Sequence, residues 1–212
     1  YGDWSSDVCS SDLWRRMKEA GVTVNVCPRS DSQYGLADGT TAWQRAIDNG
    51  VKAGFSVDNE TSYSTDMFAE MRVAFHIQRA HALYRRANGD ANAPKPVSLR
   101  DALEAATING ADCAGLADKT GTLTPGKEAD IVMIRADDIN LYPSNHAYGT
   151  VVAAAERSNV EAVFIAGRVR KWKGKVVGVD MKRIRRLTEE SRAHLFAKTG
   201  YKGDMFAAEF RL

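Results

Sequence analysis

The chain has 212 residues, of which 44% are hydrophobic and 26% are charged, so it is long enough for one ordinary soluble domain or for a small domain plus part of another. Its 29 basic and 27 acidic residues nearly balance, which argues against a nucleic-acid-binding protein, and no apolar run is long enough to span a bilayer. Cys9, Cys27 and Cys113 are odd in number and form no CxxC pair, which argues against a disulfide framework or a cysteine zinc site and favours free thiols in a reducing cytoplasm.

The first residues differ in character from the rest of the chain. Residues 3–13 read Asp-Trp-Ser-Ser-Asp-Val-Cys-Ser-Ser-Asp-Leu and have neither helical nor strand periodicity. The string resembles the translation of a common sequencing-library adapter, so residues 1–13 are predicted to be an artefact, and whatever preceded Trp14 in the gene is expected to have been lost. A genuine polar N-terminal tail is the alternative.

From Trp14 onward the hydrophobic pattern alternates between helical and strand periods. The predicted elements are helix Trp14–Ala20, strand Val22–Val26, loop Arg29–Gly39, helix Thr40–Asn49 and strand Val51–Val57. Alternation of this kind is typical of a parallel sheet with crossover helices. In such sheets, ligands bind beyond the carboxyl ends of the strands. Asp58 and the Pro28–Gly35 loop each follow a strand, and they are therefore expected to lie on the same face.

Two helices are predicted downstream of Asp58. Ser64, Thr65 and Asp66 offer N-cap oxygens to the first of them, and Ser98 and Asp101 have the spacing of a capping box for a second helix over Leu99–Asn109. The predicted buried stripe of the first helix consists of Met67, Phe68, Met71, Ala74, Phe75 and Leu83.

Short strands and a final helix are predicted in the last part of the chain. They are strands Ala129–Ile134, Val160–Ile165, Arg168–Trp172 and Lys175–Val179 and the basic amphipathic helix Asp180–Lys198. The basic residues between positions 168 and 186 alternate with apolar ones, as in strands with one solvated face. A solvated face is therefore favoured over a nucleic-acid surface.

Three motifs occur in a fixed order. They are Gly54-Phe55-Ser56-Val57-Asp58 followed by Asp66-Met67-Phe68-Ala69-Glu70-Met71-Arg72, then G-T-L-T-P-G-K-E-A-D-I-V over Gly121–Val132, then V-E-A-V-F-I-A-G-R over Val160–Arg168. Together they resemble the amidohydrolase superfamily, and more narrowly the branch that contains cyclic-amidine deaminases and s-triazine hydrolases.

The resemblance implies an α/β fold, namely the C-terminal part of a (β/α)8 TIM-type barrel plus part of a small β-sandwich. A complete barrel of this type needs about 250 residues, so only its last two strands are expected here. The implied organisation assigns residues 14–116 to the barrel, 117–179 to the small β-domain and 180–212 to a C-terminal helix and tail.

The resemblance assigns Asp58 as a metal ligand and catalytic residue. Metal-assisted hydrolysis needs a cation that lowers the pKa of bound water to about 7 and a nearby base that takes its proton. A strand-terminal aspartate can do both, and the implied cofactor is one divalent metal ion, zinc or iron. By pattern alone, Asp58 is as well explained as a cap of the next turn.

Four further residues are candidates for substrate binding. Asn59 and Ser62 follow Asp58 in a D-N-x-x-S arrangement that resembles the triazine-hydrolase branch, and Glu60 lies between them. Arg29 belongs to a Cys-Pro-Arg-Ser segment that resembles the pocket-lining loop of related deaminases. The alternatives are an ordinary polar turn for residues 59–62 and a solvated loop position for Arg29.

The family's other metal ligands, an H-x-H pair and two single histidines on strands, have no counterpart in this sequence. The histidines are His76, His81, His146 and His194, and none is predicted to lie at a parallel strand end. The chain by itself is therefore predicted to be inactive and to bind metal poorly. The parent protein is expected to be a cytoplasmic homo-oligomer that hydrolyses C–N bonds of a heterocyclic or amidine-type small molecule, with no nucleic-acid or membrane partner. A non-catalytic binding or scaffold module derived from the fold is the alternative.

Overall fold

The computed structural model describes residues 11–36, 42–59 and 65–202. The chain divides into two compact units, Tyr1–Lys175 and Val176–Leu212. The described α-helices of the first unit are α1 (Ser11–Glu19), α2 (Pro28–Gln33), α3 (Ala42–Asn49), α4 (Met67–Ala87), α5 (Leu99–Ala106), α6 (Ile108–Cys113) and α7 (Ala147–Gly149). A π-helical segment (Thr150–Ala154) and a 3-10 helix (Arg157–Asn159) follow α7. The strands are β1 (Val24–Val26), β2 (Ala53–Phe55), β3 (Ile131–Ile134), β4 (Val160–Ile165), β5 (Arg168–Trp172) and β6 (Lys175–Val176), the last of which crosses the division between the units.

Strands β1 and β2 are parallel, as the alternating pattern predicts. Val24 pairs with Ala53 and Val26 pairs with Phe55, so the two strands end level with each other. Both strands are shorter than predicted, and α1 begins at Ser11 rather than at Trp14. The parallel register places the segments that follow β1 and β2 at one edge of the sheet.

The hydrophobic core surrounds these two strands. Trp43 from α3 packs edge-on against Phe55 from β2, with ring centroids 4.9 Å apart. The buried apolar cluster consists of Trp14, Val26, Trp43, Ala46, Val51, Ala53, Phe55, Met71, Ala74, Val97, Ala102, Ala105 and Val152. Aromatic pairs of this geometry add stabilisation beyond the area they bury. Helices α1, α3, α4 and α5 thus contribute to one core that fixes the ends of β1 and β2.

The segment after β1 is a helix, and the prediction of a loop over Arg29–Gly39 is wrong for its first five residues. Pro28 occupies the first turn of α2, where its fixed φ is compatible with a helix and its missing N–H is not needed. Arg29 and Ser30, although polar, are buried because α4 and the end of β2 supply partners for their side chains. These partners are distant in sequence, so the local pattern could not reveal them.

Of the three candidates for the N-cap of α4, Asp66 is the cap and Ser64 lies outside the described residues, while the predicted capping box of α5 is confirmed. The Asp66 side chain accepts a hydrogen bond from the Ala69 amide at 2.9 Å, and Ser98 and Asp101 form a reciprocal capping box. The predicted buried stripe of α4 is wrong at Leu83, whose surface is 45% exposed. The second predicted helix is interrupted at Thr107, whose backbone is non-helical, and α6 follows it.

Gly54 in β2 lies where β2 and α6 approach closely. A Cβ atom at Gly54 would stand 2.9 Å from the Cα of Gly110 and 3.1 Å from the Cys113 sulfur. We expect Gly54→Ala to lower the free energy of unfolding by roughly 1–3 kcal/mol, because the buried strand and helix must separate. Gly110→Ala is the matched control, since its Cβ would meet only the Ala105 carbonyl at 3.6 Å. Urea unfolding of both variants measures the difference, and equal stabilities would contradict the close approach.

Strands β3, β4 and β5 form an antiparallel sheet, and β6 follows β5 at its edge. The observed bounds of β4 and β5 are those predicted, whereas β3 and β6 are shorter. The described residues contain this one sheet beside the β1–β2 pair. A sandwich requires a second sheet packed face to face, so the β-sandwich stays a prediction.

The β4–β5 hairpin turns at Ala166 and Gly167, which both have positive φ, at 49° and 73°. The Ala166 amide donates a hydrogen bond to Asp130 of the Gly121–Val132 motif at 2.7 Å. This hydrogen bond is the main reason why the pKa of the Asp130 carboxyl lies below its usual range, and a second hydrogen bond, from the Thr120 hydroxyl, acts in the same direction. Asp130 therefore stabilises the turn of the β4–β5 hairpin.

Ala166→Asn is expected to stabilise the chain. A two-residue hairpin turn with positive φ at both positions favours Asn-Gly, whereas a left-handed alanine costs about 1–2 kcal/mol. We expect a gain of roughly 0.5–1 kcal/mol in the free energy of unfolding, measured by denaturant titration. Ala166→Val is the opposing control, because a β-branched residue tolerates positive φ poorly. The interpretation of the turn is wrong if the valine variant is as stable as the asparagine variant.

The second unit contains helix α8 (Met181–Thr199). Asp180 caps it by accepting a hydrogen bond from the Arg183 amide at 3.0 Å, which agrees closely with the predicted helix Asp180–Lys198. Across the portion of the chain that the structure describes, no helix combines the length and apolar character that crossing a membrane requires.

Candidate active site at the ends of the parallel strands

Asp58 lies just beyond the carboxyl end of β2, and its side chain meets the segment that follows β1. The Ser30 hydroxyl donates a hydrogen bond of 2.6 Å to Asp58 Oδ2, and the Asn59 side-chain amide donates one of 2.8 Å to the same oxygen. Asp58 itself is exposed and has a φ of 58°, a left-handed conformation that aspartate tolerates better than most residues. The two strand ends therefore meet at one carboxylate, as the parallel pattern predicts.

A buried ion pair lies beneath this contact. Arg29 Nε donates to Glu70 Oε1 at 2.8 Å, and the Arg29 backbone amide donates to Glu70 Oε2 at 3.0 Å. The Glu70 side chain is fully buried and that of Arg29 is 9% exposed. A second guanidinium nitrogen of Arg29 donates to the carbonyl of Val57, the residue before Asp58. The pair thus ties α2, α4 and the end of β2 together.

Asp31 is a second carboxylate close to Asp58. Burial raises the pKa of the Asp31 carboxyl above its usual range, and the charges of Asp58 and Glu70 act in the same direction. The backbone N–H groups of Ala42 and Cys27 donate to this carboxylate and oppose the rise. Because Ala42 begins α3, Asp31 connects the segment after β1 to the start of that helix.

The predicted substrate-binding residues have different surroundings. Arg29 is not a solvated loop residue, because its side chain is engaged with Glu70 and Val57. Asn59 lies beside Asp58 and donates to it. Glu60 and Ser62 lie outside the described residues. The structure therefore brings Arg29, Asn59 and Asp58 to one edge of the sheet.

The histidines lie elsewhere, as predicted. His76 and His81 belong to α4 and His194 belongs to α8. The Nδ1 atom of His146 accepts a hydrogen bond from the Gly149 amide at 3.0 Å and so caps α7. None of these side chains follows β1 or β2.

The donor set at this edge fits one position of a metal site. Carboxylate oxygen is a common zinc ligand, and both hydrogen bonds that the described residues make to Asp58 go to Oδ2, which leaves Oδ1 for a cation. Within residues 11–36, 42–59 and 65–202, no group of three His, Cys, Asp or Glu side chains is arranged to hold a metal ion. A catalytic zinc ion usually takes three protein ligands, so the carboxylate of Asp58 is chemically suited to one such position and does not by itself make a metal site.

A cleft of about 620 Å³ near the start of α4 lies apart from these contacts. Its lining residues are Asp66, Ala69, Arg72, Glu156, Arg157 and Ser158. Asp58 is not among them, and the lining carries two acidic and two basic side chains.

Sequence reasoning missed Glu70 and Asp31 as parts of the site, whereas Ser30 belongs to the Cys-Pro-Arg-Ser segment that resembles a pocket-lining loop. For Glu70 a signal exists, since it is an acidic residue next to Met71 on a face of α4 that also buries Ala74. Charged residues are rarely buried unless paired, so a partner could have been sought. For Asp31 the only signal is its place directly after that segment, and its contacts, like the hydrogen bond from Ser30 to Asp58, come from the tertiary fold.

The family model of the amidohydrolase family matches residues 4–170, and the chain belongs to that family. The resemblance inferred from the three motifs is thereby confirmed. The parallel strands, with a carboxylate at their carboxyl ends, agree with this class of protein.

The chain is similar to several characterised relatives. It is 28% identical over 185 residues to a 5-methylthioadenosine/S-adenosylhomocysteine deaminase of Pyrococcus abyssi, a match that covers 87% of this chain and 40% of the relative. It is 34% identical over 152 residues to the enzyme of the same name from Teredinibacter turnerae, and this match covers 71% of this chain and 32% of the relative. The chain thus spans about two fifths or less of the length of these relatives.

Solved structures show the same fold. An adenosine deaminase from Xanthomonas campestris with bound zinc matches 91% of this chain and 41% of its own, with a TM-score of 0.73 and 26% identity. An atrazine chlorohydrolase from Arthrobacter aurescens, complexed with zinc, matches 85% of this chain and 38% of its own, with a TM-score of 0.64 and 23% identity. The mixed α/β arrangement of this chain therefore agrees with that of amidohydrolase structures.

Proposed function

We propose that this chain is the C-terminal part of a metal-dependent amidohydrolase that deaminates a heterocyclic small molecule, and that Asp58 supplies one metal ligand and the catalytic carboxylate. The observation that carries the proposal is the position of Asp58. It lies at the carboxyl end of a parallel strand, and it is held by a donor from the neighbouring strand end. This is the edge of an α/β sheet at which active sites form.

The proposed chemistry is hydrolysis of a C–N bond. A divalent ion, zinc or iron, lowers the pKa of water when it is bound. Asp58 accepts a proton from the attacking water and returns it to the departing nitrogen. The water oxygen forms a bond to the ring carbon, the bond from that carbon to the exocyclic nitrogen breaks, and ammonia leaves.

Adenine nucleosides are the proposed substrate class. The relatives from Pyrococcus abyssi and Teredinibacter turnerae are named for deamination of 5-methylthioadenosine and S-adenosylhomocysteine, and the structural neighbour from Xanthomonas campestris is named an adenosine deaminase. These molecules share an amino group on a purine ring, which falls within the heterocyclic or amidine-type substrates that the family resemblance implies.

The residues around Asp58 have proposed supporting roles. Asn59, Glu60 and Ser62 are proposed to contact the substrate, because they follow the catalytic carboxylate directly in sequence. For Arg29 the geometry favours positioning over substrate contact, since its guanidinium group already binds Glu70 and the Val57 carbonyl.

The proposed complete protein has a (β/α)8 barrel and a small β-sandwich. Residues 14–116 belong to the barrel, 117–179 to the sandwich and 180–212 to a C-terminal helix and tail, while residues 1–13 stay a predicted artefact. The missing strands of the barrel supply the remaining metal ligands in this proposal. A cytoplasmic homo-oligomer is the proposed form.

The test is ammonia release by the complete protein, expressed from the gene after its sequence upstream of Trp14 has been recovered. Adenosine, 5-methylthioadenosine and S-adenosylhomocysteine are the substrates, and we expect turnover that a chelator abolishes and added zinc restores. The 212-residue chain alone is the matched control, and we expect it neither to turn over these substrates nor to bind zinc tightly. A complete protein without bound metal and without activity would instead support a scaffold derived from the fold.

A further inference from the structure

The two hydrogen bonds to Asp58 are asymmetric. The Ser30 hydroxyl and the Asn59 amide both donate to Oδ2, at 2.6 and 2.8 Å. A carboxylate oxygen has two lone pairs, so two good donors occupy Oδ2 fully. Among the described residues, no hydrogen bond to Oδ1 accompanies them. The two oxygens of this carboxylate are therefore chemically different before any metal or substrate binds.

The Ser30 hydroxyl is a rigid donor. Ser30 is only 3% exposed and lies in the first turn of α2. The preceding residue, Arg29, is held at its backbone amide and at its side chain by the fully buried Glu70. A hydroxyl on such a backbone loses little further freedom when it binds a carboxylate, which is what preorganisation requires.

The backbone of Asp58 also needs external support. Its φ of 58° lies in the left-handed region, which costs a residue with a Cβ atom free energy relative to an ordinary strand end. Arg29 donates to the carbonyl of Val57, directly before Asp58, and Ser30 holds the Asp58 side chain. Two successive residues of α2 thus support Asp58: Arg29 holds the backbone directly before it, and Ser30 holds its carboxylate.

We propose that Ser30 is a positioning residue that holds Oδ2 of Asp58, so that Oδ1 is the oxygen presented to the metal ion. This inference rests on the proposed function. Hydrogen bonds to a ligating carboxylate orient it and tune its affinity for the ion. In this proposal Ser30 acts on the metal ion through Asp58.

The experiment compares Ser30→Ala with Ser32→Ala in the complete protein. Ser32 lies in the same helix, but its hydroxyl donates to the Arg29 carbonyl at 2.9 Å and not to Asp58. We expect Ser30→Ala to raise the dissociation constant for zinc about 10–100-fold, as loss of a hydrogen bond to a metal ligand does. Zinc affinity is measured by competition with a chromophoric chelator. At saturating zinc, kcat should fall while KM changes little, and Ser32→Ala should leave all three quantities unchanged.

Folding is controlled separately. Thermal melting of the metal-free variants shows whether Ser30→Ala destabilises the whole fold. Asn59→Ala removes the other hydrogen-bond donor to Oδ2 from a less buried position, and it should weaken zinc binding as well. The inference is overturned if Ser30→Ala and Asn59→Ala both bind zinc as tightly as Ser32→Ala. That outcome differs from failure of the proposed function, in which the unsubstituted complete protein itself binds no zinc and releases no ammonia.

Discussion

Replacing Asp58 by asparagine in the complete protein is expected to reduce kcat/KM for the deaminated substrate by about 10³-fold or more. A metal ion that activates water contributes several kcal/mol to catalysis, and each 1.36 kcal/mol corresponds to about tenfold in rate. In the proposed mechanism, the substitution removes both the negative charge that binds the ion and the group that accepts the proton of the water.

The local hydrogen bonds make asparagine an especially poor replacement. Ser30 and Asn59 both donate toward the position of Oδ2. The amide oxygen of an asparagine at position 58 will take that position, because only the oxygen can accept their hydrogen bonds. Its NH₂ group then occupies the place of Oδ1 and directs a donor toward the metal ion. Zinc content should therefore fall together with activity.

The matched control is Asp118→Asn, a change of the same kind at an exposed carboxylate after α6. Both variants are assayed for ammonia release and for bound zinc, and their thermal melting shows whether they are folded. The metal role of Asp58 is wrong if Asp58→Asn retains the zinc content and the kcat/KM of the control.

Replacing Glu70 by alanine is expected to lower the free energy of unfolding by about 3–5 kcal/mol, because it removes the buried carboxylate that faces the Arg29 guanidinium charge. The Glu70 carboxylate accepts from both the Arg29 side chain and the Arg29 backbone amide, so alanine also removes two hydrogen bonds at once. Denaturant unfolding of the 212-residue chain measures this loss without any assumption about activity.

Two comparisons separate a broken ion pair from a general loss of packing. In the double variant Arg29→Met and Glu70→Met, neither charge is buried, and we expect a stability closer to that of the unsubstituted chain than to that of Glu70→Ala. Glu104→Ala removes the partner of Arg100 in an exposed pair of α5 and should cost no more than about 0.5 kcal/mol. If Glu70→Ala is no more destabilising than Glu104→Ala, the contacts of Glu70 with Arg29 do not stabilise the position of α2.

Local sequence determined much of the secondary structure. Asp66 and the Ser98–Asp101 pair were predictable as caps, because a capping side chain binds backbone groups within three residues of itself. The bounds of β4 and β5 were predictable because Ala166 and Gly167 interrupt the strand pattern between them. The position of Asp58 at the edge of a parallel sheet followed from the alternation of helices and strands.

The tertiary structure alone decided how the candidate site is held. Ser30 and Asp58 are 28 residues apart in sequence, and Arg29 and Glu70 are 41 residues apart. The side chains of Arg29, Ser30 and Glu70 are polar, so the local pattern places them in solvent. Only the packing of α2 against α4 and the end of β2 buries these three side chains beside partners of opposite charge or hydrogen-bonding sense. For the same reason a segment predicted as a loop is a helix here. Short-range propensity sets where helices and strands begin, whereas burial of polar groups depends on partners that the fold brings from a distance.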